Sequence, residues 1–386
     1  MYRSREFRRV YLIQVVYLSV AAFSWSFVPF HLVDMGFSYT DLILFRLFAY
    51  LTGALAALFY TRYRIMGSVG VGFLGFALIL LLMPFVRDSP FLMLLAVLDG
   101  LTCPMFFIPY NTLYFGFRGA VGSAFLASLG YLVMPAVGVA APLLAGFIVE
   151  AYGVAVVFLI GAAVLFYAAV HYGRQPGGVL SVDARRALSA GKGLKALLFI
   201  QGFWQGVDWI CVPLFTLYFL TSGVSYGGFL SYVAVFGAFS TLYFCRVSDR
   251  TGNRVNYLYP SIVLTAAATV LSGLVSDLFN WFMVRGFIGF FVAVANPFTV
   301  SIVLDRMRNT GDAMYLRHLL VTAGQLAGTL LVLTCHLFLG GFQKAFIFAG
   351  LLLFTYPLIV EYKKLYPRRV SAAAVISDET LEFTGQ

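Results

Sequence analysis

Charged residues are scarce in this sequence. Asp, Glu, Lys and Arg make up 11% of its 386 residues, whereas 61% are hydrophobic and the mean hydropathy is +0.90. A soluble domain carries about 25% charged residues, so this chain has too few to cover a surface that faces water. The composition excludes a soluble enzyme, a disordered regulator and a secreted disulfide scaffold. The apolar runs are long and uninterrupted, which favours membrane-spanning helices over the short alternating strands of a barrel.

Motifs for metal binding, catalysis and nucleotide binding are also absent. The four cysteines lie inside or at the edges of apolar segments, with no CxxC pair and no Cys/His cluster. His318, His336 and Cys211 share no close spacing, so they do not predict a transition-metal site. The sequence contains no HExxH, GxSxG or P-loop motif. We therefore expect a protein that is not an enzyme, holds no cofactor or metal, and is not driven by ATP.

Twelve apolar segments are long enough to cross a membrane, since a spanning helix needs about 20 such residues. They lie near 10–33, 39–60, 66–86, 91–113, 122–148, 153–171, 195–221, 226–246, 257–278, 280–304, 314–339 and 342–361, and we number them spans one to twelve. The predicted fold is an all-α membrane protein with 12 transmembrane helices in two pseudo-symmetric six-helix bundles. The predicted parts are an N-terminal bundle at 1–172, a cytoplasmic central loop at 173–194, a C-terminal bundle at 195–366 and a cytoplasmic tail at 367–386.

Lys and Arg residues set the predicted orientation, because the cytoplasmic loops of a membrane protein carry an excess of them. With the N-terminus in the cytoplasm, the outer loops hold only Arg87 and Lys344, and nearly all other cations fall on the inner side. The net charge of +10 then indicates topology and attraction to anionic lipid, not a nucleic-acid partner. We expect a monomeric, multi-pass protein of the cell membrane with both termini cytoplasmic.

The two predicted halves resemble each other at a spacing of about 187 residues. Gly-Phe-Ser-Tyr at 36–39 opens span two, and Gly-Val-Ser-Tyr at 223–226 opens span eight. Further matches, in register to within a residue or two, are Gln14 with Gln201 and Asp99-Gly100 with Arg285-Gly286. Parallel repeats of this kind place a substrate site near the middle of the membrane, between the halves.

One loop motif carries a resemblance to a known family. Residues 245–254, between spans eight and nine, read Cys-Arg-Val-Ser-Asp-Arg-Thr-Gly-Asn-Arg. This resembles the cytoplasmic loop signature G-x-x-S-D-R-x-G-R-R of the major facilitator superfamily, with Cys245 in place of the first glycine and Asn253 in place of one basic residue. The equivalent loop between spans two and three keeps only the basic character, in Arg62 and Arg64. The resemblance of layout covers about residues 7–366.

The resemblance implies a gate built from named residues. The latch residues would be Asp249, Arg250, Gly252 and Arg254. Their arginines would pair with Asp305 or Asp312 when the cytoplasmic side is closed. Gly138 and Pro142 in span five resemble part of the Gly/Pro pattern of the family's antiporters, so we expect them to take part in gating. The family fold also implies that spans one, four, seven and ten line the central cavity.

Four ionisable residues fall inside predicted spans, where a charge is costly unless it faces a partner or a cavity. They are Arg46, Asp99, Asp208 and Arg285, which lie in one layer of the outer half and sum to zero charge. Asp208 is our preferred carrier of a coupling proton, with Asp99 as the second candidate. A buried carboxylate takes up a proton when its paired cation moves away. The arginines could hold an anionic substrate group. The alternative is two static ion pairs, Arg46–Asp99 and Asp208–Arg285.

Polar and aromatic residues on the same helix faces predict the rest of the cavity wall. They are Gln201, Trp204 and Gln205 in span seven, Asn296 in span ten, Tyr110 in span four, and Tyr17 and Ser24 in span one. We expect a secondary active transporter that moves a small organic solute by alternating access, coupled to protons, with efflux by antiport favoured. The alternatives are a proton-coupled importer of an organic anion or sugar-like solute and, from another class, a membrane-embedded lipid-handling protein or a sensor.

Overall fold

The computed structural model of the protein describes residues 4–251 and 255–365, without the side chains of 120, 121, 242, 244–251, 255 and 256. In this part of the chain, eleven helices are long and apolar enough to cross a membrane, and a shorter apolar helix lies at the predicted ninth position. In chain order the twelve spans are Arg5–Asp34, Tyr39–Phe59, Ile65–Phe85, Ser89–Gly116, Ser123–Tyr152, Val154–Gly173, Lys195–Phe219, Gly223–Thr251, Val255–Ser272, Leu278–Arg306, Thr310–Phe338 and Lys344–Tyr362. The prediction of an all-α, multi-pass membrane protein is confirmed.

Side chains cap several of these helices where they begin. In lipid, backbone groups must be satisfied within the helix, so unpaired amides remain only at its ends. Ser38 and Asp41 form a capping box at the start of span two, and Asp88 accepts a hydrogen bond from a first-turn amide of span four. Asp277 does the same for span ten, and the amide of Asn280 lowers the pKa of the Asp277 carboxyl. The charge therefore remains at the helix N-terminus, where it is favourable.

The same helix pairs pack together in both halves of the chain. Spans three and six are neighbours, as are spans nine and twelve; span two packs on span four, as span eight does on span ten. Glycines allow the closest approaches. A Cβ added to Gly70 would lie 2.5 Å from the Cα of Gly173, and one added to Gly202 would lie 2.1 Å from the carbonyl oxygen of Val321. This recurrence supports the predicted pseudo-symmetry of the halves, while the exact boundaries stay a prediction.

The segment between spans six and seven is more ordered than a plain loop. Its strand Val179–Ser181 pairs antiparallel with the strand Arg62–Arg64, which joins spans two and three. A short helix, Ala184–Ala190, follows, and Asp183 caps it by accepting from the amide of Arg186. The sheet therefore attaches the central segment to the N-terminal half.

Span five is broken near its middle. Its first helix ends at Gly138 and its second begins at Ala141. Pro142 has no N–H to bond the carbonyl of Gly138, which explains a break at this point. A Cβ added to Gly227 of span eight would lie 2.3 Å from the carbonyl oxygen of Pro142. Gly138 and Pro142 thus lie at a close contact between the halves, and their part in gating stays a prediction.

Candidate functional site

Arg46 and Asp99 form a loose ion pair in the N-terminal half. One guanidinium nitrogen lies 3.9 Å from a carboxylate oxygen, and the two side chains are 19% and 7% exposed. The Cys103 thiol donates to the other carboxylate oxygen at 3.6 Å. The guanidinium also lies 5.9 Å from the ring centroid of Trp25 and 5.7 Å from that of Phe45, so part of its stabilisation is cation–π.

Glycines bring the two helices of this pair together. Gly53 of span two and Gly100 of span four face each other, and a Cβ on Gly100 would lie 2.8 Å from the amide nitrogen of Gly53. This close approach brings spans two and four together beside the Arg46–Asp99 pair.

Arg46 also lines a hollow between the two halves. The N-terminal wall includes Leu32 and Phe45, and the C-terminal wall includes Trp209 and Pro213 of span seven. Arg46 is the charged residue among those that line this hollow. A guanidinium that is partly exposed here can meet an anionic group without first leaving a tight partner.

Asp208 and Arg285 form a tight ion pair in the C-terminal half. Two guanidinium nitrogens donate to the two carboxylate oxygens at 2.7 Å and 3.2 Å, and the side chains are 10% and 6% exposed. The guanidinium also lies 5.6 Å from the ring centroid of Trp281. Trp281 is fixed in turn by a hydrogen bond from its indole N–H to Thr216. Short, two-point ionic contact makes this the more static of the two pairs.

The residues predicted to line one cavity are divided among several places. Gln201, Trp204 and Asn296 line a second hollow, whose wall belongs to spans seven, nine, ten and twelve and so lies inside the C-terminal half. Gln205 faces another helix and accepts a hydrogen bond from Gln325 of span eleven at 3.3 Å. These side chains therefore do not share one cavity wall in this structure. Helical periodicity predicts which residues share a helix face, but it does not predict which helix packs against that face.

The predicted cavity residues of the N-terminal half are also separated. Tyr110 donates to the Gln14 side chain at 2.8 Å. Tyr17 packs against Phe106 and Phe107, with centroid distances of 4.7 Å and 5.2 Å. Ser24 is fully buried and donates to the Val157 carbonyl of span six at 2.8 Å. Ser24 therefore joins two helices in this structure, and its place in a substrate cavity stays a prediction.

Polar contacts close the side of the bundle that carries the Arg62, Arg118 and Arg308 loops, which we call the basic side. Arg118, after span four, donates to main-chain carbonyls at the end of span ten, including Met307 at 3.0 Å. Ser123 donates to Asp305. Tyr315 of span eleven donates to the carbonyl of Ala57 at 3.0 Å. Each of these contacts joins the N-terminal half to the C-terminal half.

The central segment makes an ionic contact between the halves. Arg186 donates to both carboxylate oxygens of Asp312 at 2.8 Å and 2.7 Å. The hydrogen bond to Asp312 raises the pKa of Arg186. Because the β-sheet attaches this segment to the N-terminal half, the ion pair joins the halves at the basic side.

The opposite side, which carries the Arg87 and Lys344 loops, is closed as well. Tyr226 of span eight donates to the carbonyl of Ser26 at 3.1 Å. The amide of Val224 donates to Glu150, the last acidic residue of span five, at 3.3 Å. Contacts between the halves are thus present at both ends of the bundle.

Comparison with known proteins supports a fold assignment. No protein-family model and no curated protein matches the sequence. The human organic anion transporter MFSD10 (TETRAN) is similar in structure, with a TM-score of 0.61 and 14% sequence identity over 93% of this chain and 100% of that chain. This chain has the fold of the major facilitator superfamily. The predicted fold family is thereby confirmed.

In this major facilitator fold, the predicted latch cannot be compared with the structure. Gly252 and Arg254 lie outside the described residues, and the side chains of Asp249 and Arg250 are not described. Asp312, one of the two carboxylates expected to pair with the latch, is paired with Arg186 instead. Sequence reasoning missed Arg118 and Arg186 as closing residues. Their location in basic loops was visible, but their partners lie 126 to 190 residues away along the chain.

Proposed function

We propose that this protein is a secondary transporter that moves a small organic anion across the membrane by alternating access between its two halves. The observation that supports this is the position of Arg46. It is a partly exposed cation in the wall of a hollow between the halves, and its ion pair with Asp99 is 3.9 Å long. An intramembrane charge of this kind marks a substrate or ion pathway. The proposal includes no enzymatic step.

The lining of the hollow sets the expected chemistry of the solute. Apart from Arg46, the residues around it are apolar or aromatic, including Phe45 and Trp209. A solute with an apolar body and one anionic group satisfies both parts of the wall. The similarity in structure to an organic anion transporter agrees with this choice.

Asp99 is the proposed proton carrier. Its carboxylate has one long contact with Arg46 and one weak hydrogen bond from Cys103. When an anionic solute binds Arg46, the carboxylate loses its cation, and protonation then removes a buried negative charge. Asp208, the carrier favoured by sequence alone, keeps two short hydrogen bonds to Arg285 inside its own half. We therefore assign Asp208 a structural role.

The second part of the proposal concerns the direction of solute movement relative to the protons. Span five has its break beside Pro142, in the segment that resembles the antiporter pattern. That resemblance favours exchange of the solute for protons, whereas the Arg46–Asp99 step, in which the solute and the proton are bound together, favours their co-transport. Import of the anion together with protons is the alternative, and it uses the same Arg46 and Asp99.

A transport assay on the purified protein tests the proposal. The protein is reconstituted in proteoliposomes with an imposed pH gradient, and the movement of radiolabelled aromatic carboxylates is measured. Hydrophobic cations serve as competitors. We expect carboxylates to compete and cations not to. Arg46→Gln should lower the rate at least about tenfold, because the anionic group loses its charged partner.

Two matched variants keep this test specific. Arg46→Lys retains the charge and should keep part of the activity, whereas Arg87→Gln removes a cation from an outer loop and should change nothing. Full carboxylate transport by Arg46→Gln would contradict the proposed role of Arg46. Competition by cations alone would favour drug-like antiport instead.

A further inference from the structure

The two halves fill the same interior position in different ways. In the N-terminal half, the rings of Phe106 and Tyr110 stack one helical turn apart, with centroids 5.6 Å apart and planes inclined by 11°. The Tyr110 hydroxyl donates to Gln14 at 2.8 Å. The Gln14 amide nitrogen donates to the carbonyl of Gly130 at 2.9 Å. Both ends of this amide are therefore used.

Smaller residues occupy these positions in the C-terminal half. In the register that aligns Asp99-Gly100 with Arg285-Gly286, Phe106 corresponds to Val292 and Tyr110 to Asn296. Gln14 corresponds to Gln201. The C-terminal half thus keeps the glutamine but lacks the two stacked rings that cover it in the N-terminal half.

A hollow lies beside these smaller residues. Val292, Asn296 and Gln201 all line it, together with Trp204 of span seven, Ile262 of span nine and Leu353 of span twelve. Gln201 is only 4% exposed, and neither of its amide atoms has a hydrogen-bond partner among the described residues. A buried amide without partners costs about 1–3 kcal/mol, so a ligand that pairs with it gains a corresponding advantage.

We propose that this hollow binds a small neutral phenol. The apolar wall suits an aromatic ring, and no charged residue is among those that line the hollow, which disfavours an ion. The ring takes the place that Phe106 and Tyr110 hold in the other half. The hydroxyl bonds to Gln201, as the Tyr110 hydroxyl does to Gln14.

This site is separate from the path proposed for transport. All residues that line it belong to the C-terminal half, whereas the hollow beside Arg46 has walls from both halves. The Trp204 indole N–H is already donated to Thr269 at 3.0 Å, so Trp204 contributes its ring face to the wall and not a further donor. Binding of a phenol can therefore be measured without any transport activity.

Fluorine NMR on the full chain in lipid nanodiscs tests the proposal. The probes are 4-fluorophenol and 4-fluorotoluene, which have similar shapes and differ in the hydroxyl group. We expect saturable binding of 4-fluorophenol, about fivefold tighter than that of 4-fluorotoluene, since one hydrogen bond is worth about 1 kcal/mol. Gln201→Leu should make the two affinities equal.

Filling the site with the chain's own rings provides the second arm. The double variant Val292→Phe/Asn296→Tyr should fold and abolish saturable binding, while Gln14→Leu in the other half should leave it unchanged. If the double variant does not fold, Asn296→Phe alone should weaken 4-fluorophenol at least tenfold. Signal that never saturates, or binding retained when the hollow is filled, would mean that the probe only partitions into lipid and would overturn the proposal. Equal affinities for both probes in the unmodified chain would overturn the assigned role of Gln201.

Discussion

The two halves of this protein share a helix layout but use their buried polar groups in opposite ways. In the N-terminal half the ion pair Arg46–Asp99 is long and partly exposed, and the interior beside Gln14 is filled with rings. In the C-terminal half the ion pair Asp208–Arg285 is short and buried, and the interior beside Gln201 is hollow. The difference teaches that repeat symmetry fixes where helices lie, whereas individual side chains decide which polar groups remain available for ligands.

The largest expected effect comes from breaking the tight pair. Arg285→Gln leaves the Asp208 carboxylate buried without a cation, which costs about 3–5 kcal/mol of folding stability. Arg46→Gln should cost less, because its pair is long and Asp99 can take up a proton when the cation is removed. Thermal unfolding of the purified variants in detergent measures both. Equal losses of folding stability in the two variants would contradict the distinction between a static Asp208–Arg285 pair and an Arg46–Asp99 pair whose arginine can bind a ligand.

Replacing the two equivalent glutamines by leucine tests the second part of the comparison. Gln14→Leu leaves the Tyr110 hydroxyl and the Gly130 carbonyl without their partner, at a cost of about 1–3 kcal/mol. Gln201→Leu breaks no hydrogen bond to a described residue and should be neutral or stabilising. The same unfolding assay, without added ligand, measures the difference. A larger loss for Gln201→Leu would show that its amide has a partner in the folded protein.

Asp99→Asn should change transport much more than stability. The substitution removes a charge from the loose pair and leaves Arg46 packed on Trp25 and Phe45, so we expect less than about 1 kcal/mol of lost stability. Solute exchange should continue, but it should no longer respond to an imposed pH gradient. Counterflow in proteoliposomes with and without the gradient separates these results. Asp208→Asn is the comparison variant, and an unchanged gradient response in Asp99→Asn would exclude Asp99 as the proton carrier.

Much of the fold could be predicted from the sequence, because a spanning helix requires a long apolar run and lipid allows few alternatives. All twelve spans, the repeat and the loop motif pointed to one fold. The two ion pairs were also predicted as alternatives, since a buried charge needs a partner.

The arrangement of the cavity walls could not be predicted in this way. Helical periodicity places Gln201, Trp204 and Gln205 near one another, but it does not say that the first two face spans nine and twelve while the third faces Gln325. Nor does it say that the Ser24 hydroxyl bonds to the Val157 carbonyl of span six. The pairing of Arg186 with Asp312 depends on the path of the central segment, which no residue spacing records.

The smallest expected effect concerns the contact that holds the halves together at the basic side. Arg186 is partly exposed, with a side-chain exposure of 55%, so its pair with Asp312 is screened by water. Arg186→Gln should nevertheless favour opening of that side. A cysteine introduced at Thr112, whose side chain lies beneath Gly311 at the closed contact, reports the opening in a background without the native cysteines.

We expect the alkylation of this cysteine by a membrane-impermeant maleimide to become about two- to fivefold faster in Arg186→Gln. Arg185→Gln removes the neighbouring charge from the same short helix without touching Asp312, so it should leave the rate unchanged. A faster rate with Arg186→Gln alone means that the ion pair itself biases the two halves toward closure. Equal rates in both variants would assign closure to the contacts that Arg118 and Tyr315 make with neutral main-chain carbonyls. In that case the halves are held by backbone geometry on the basic side, and their charge pairs act only within each half.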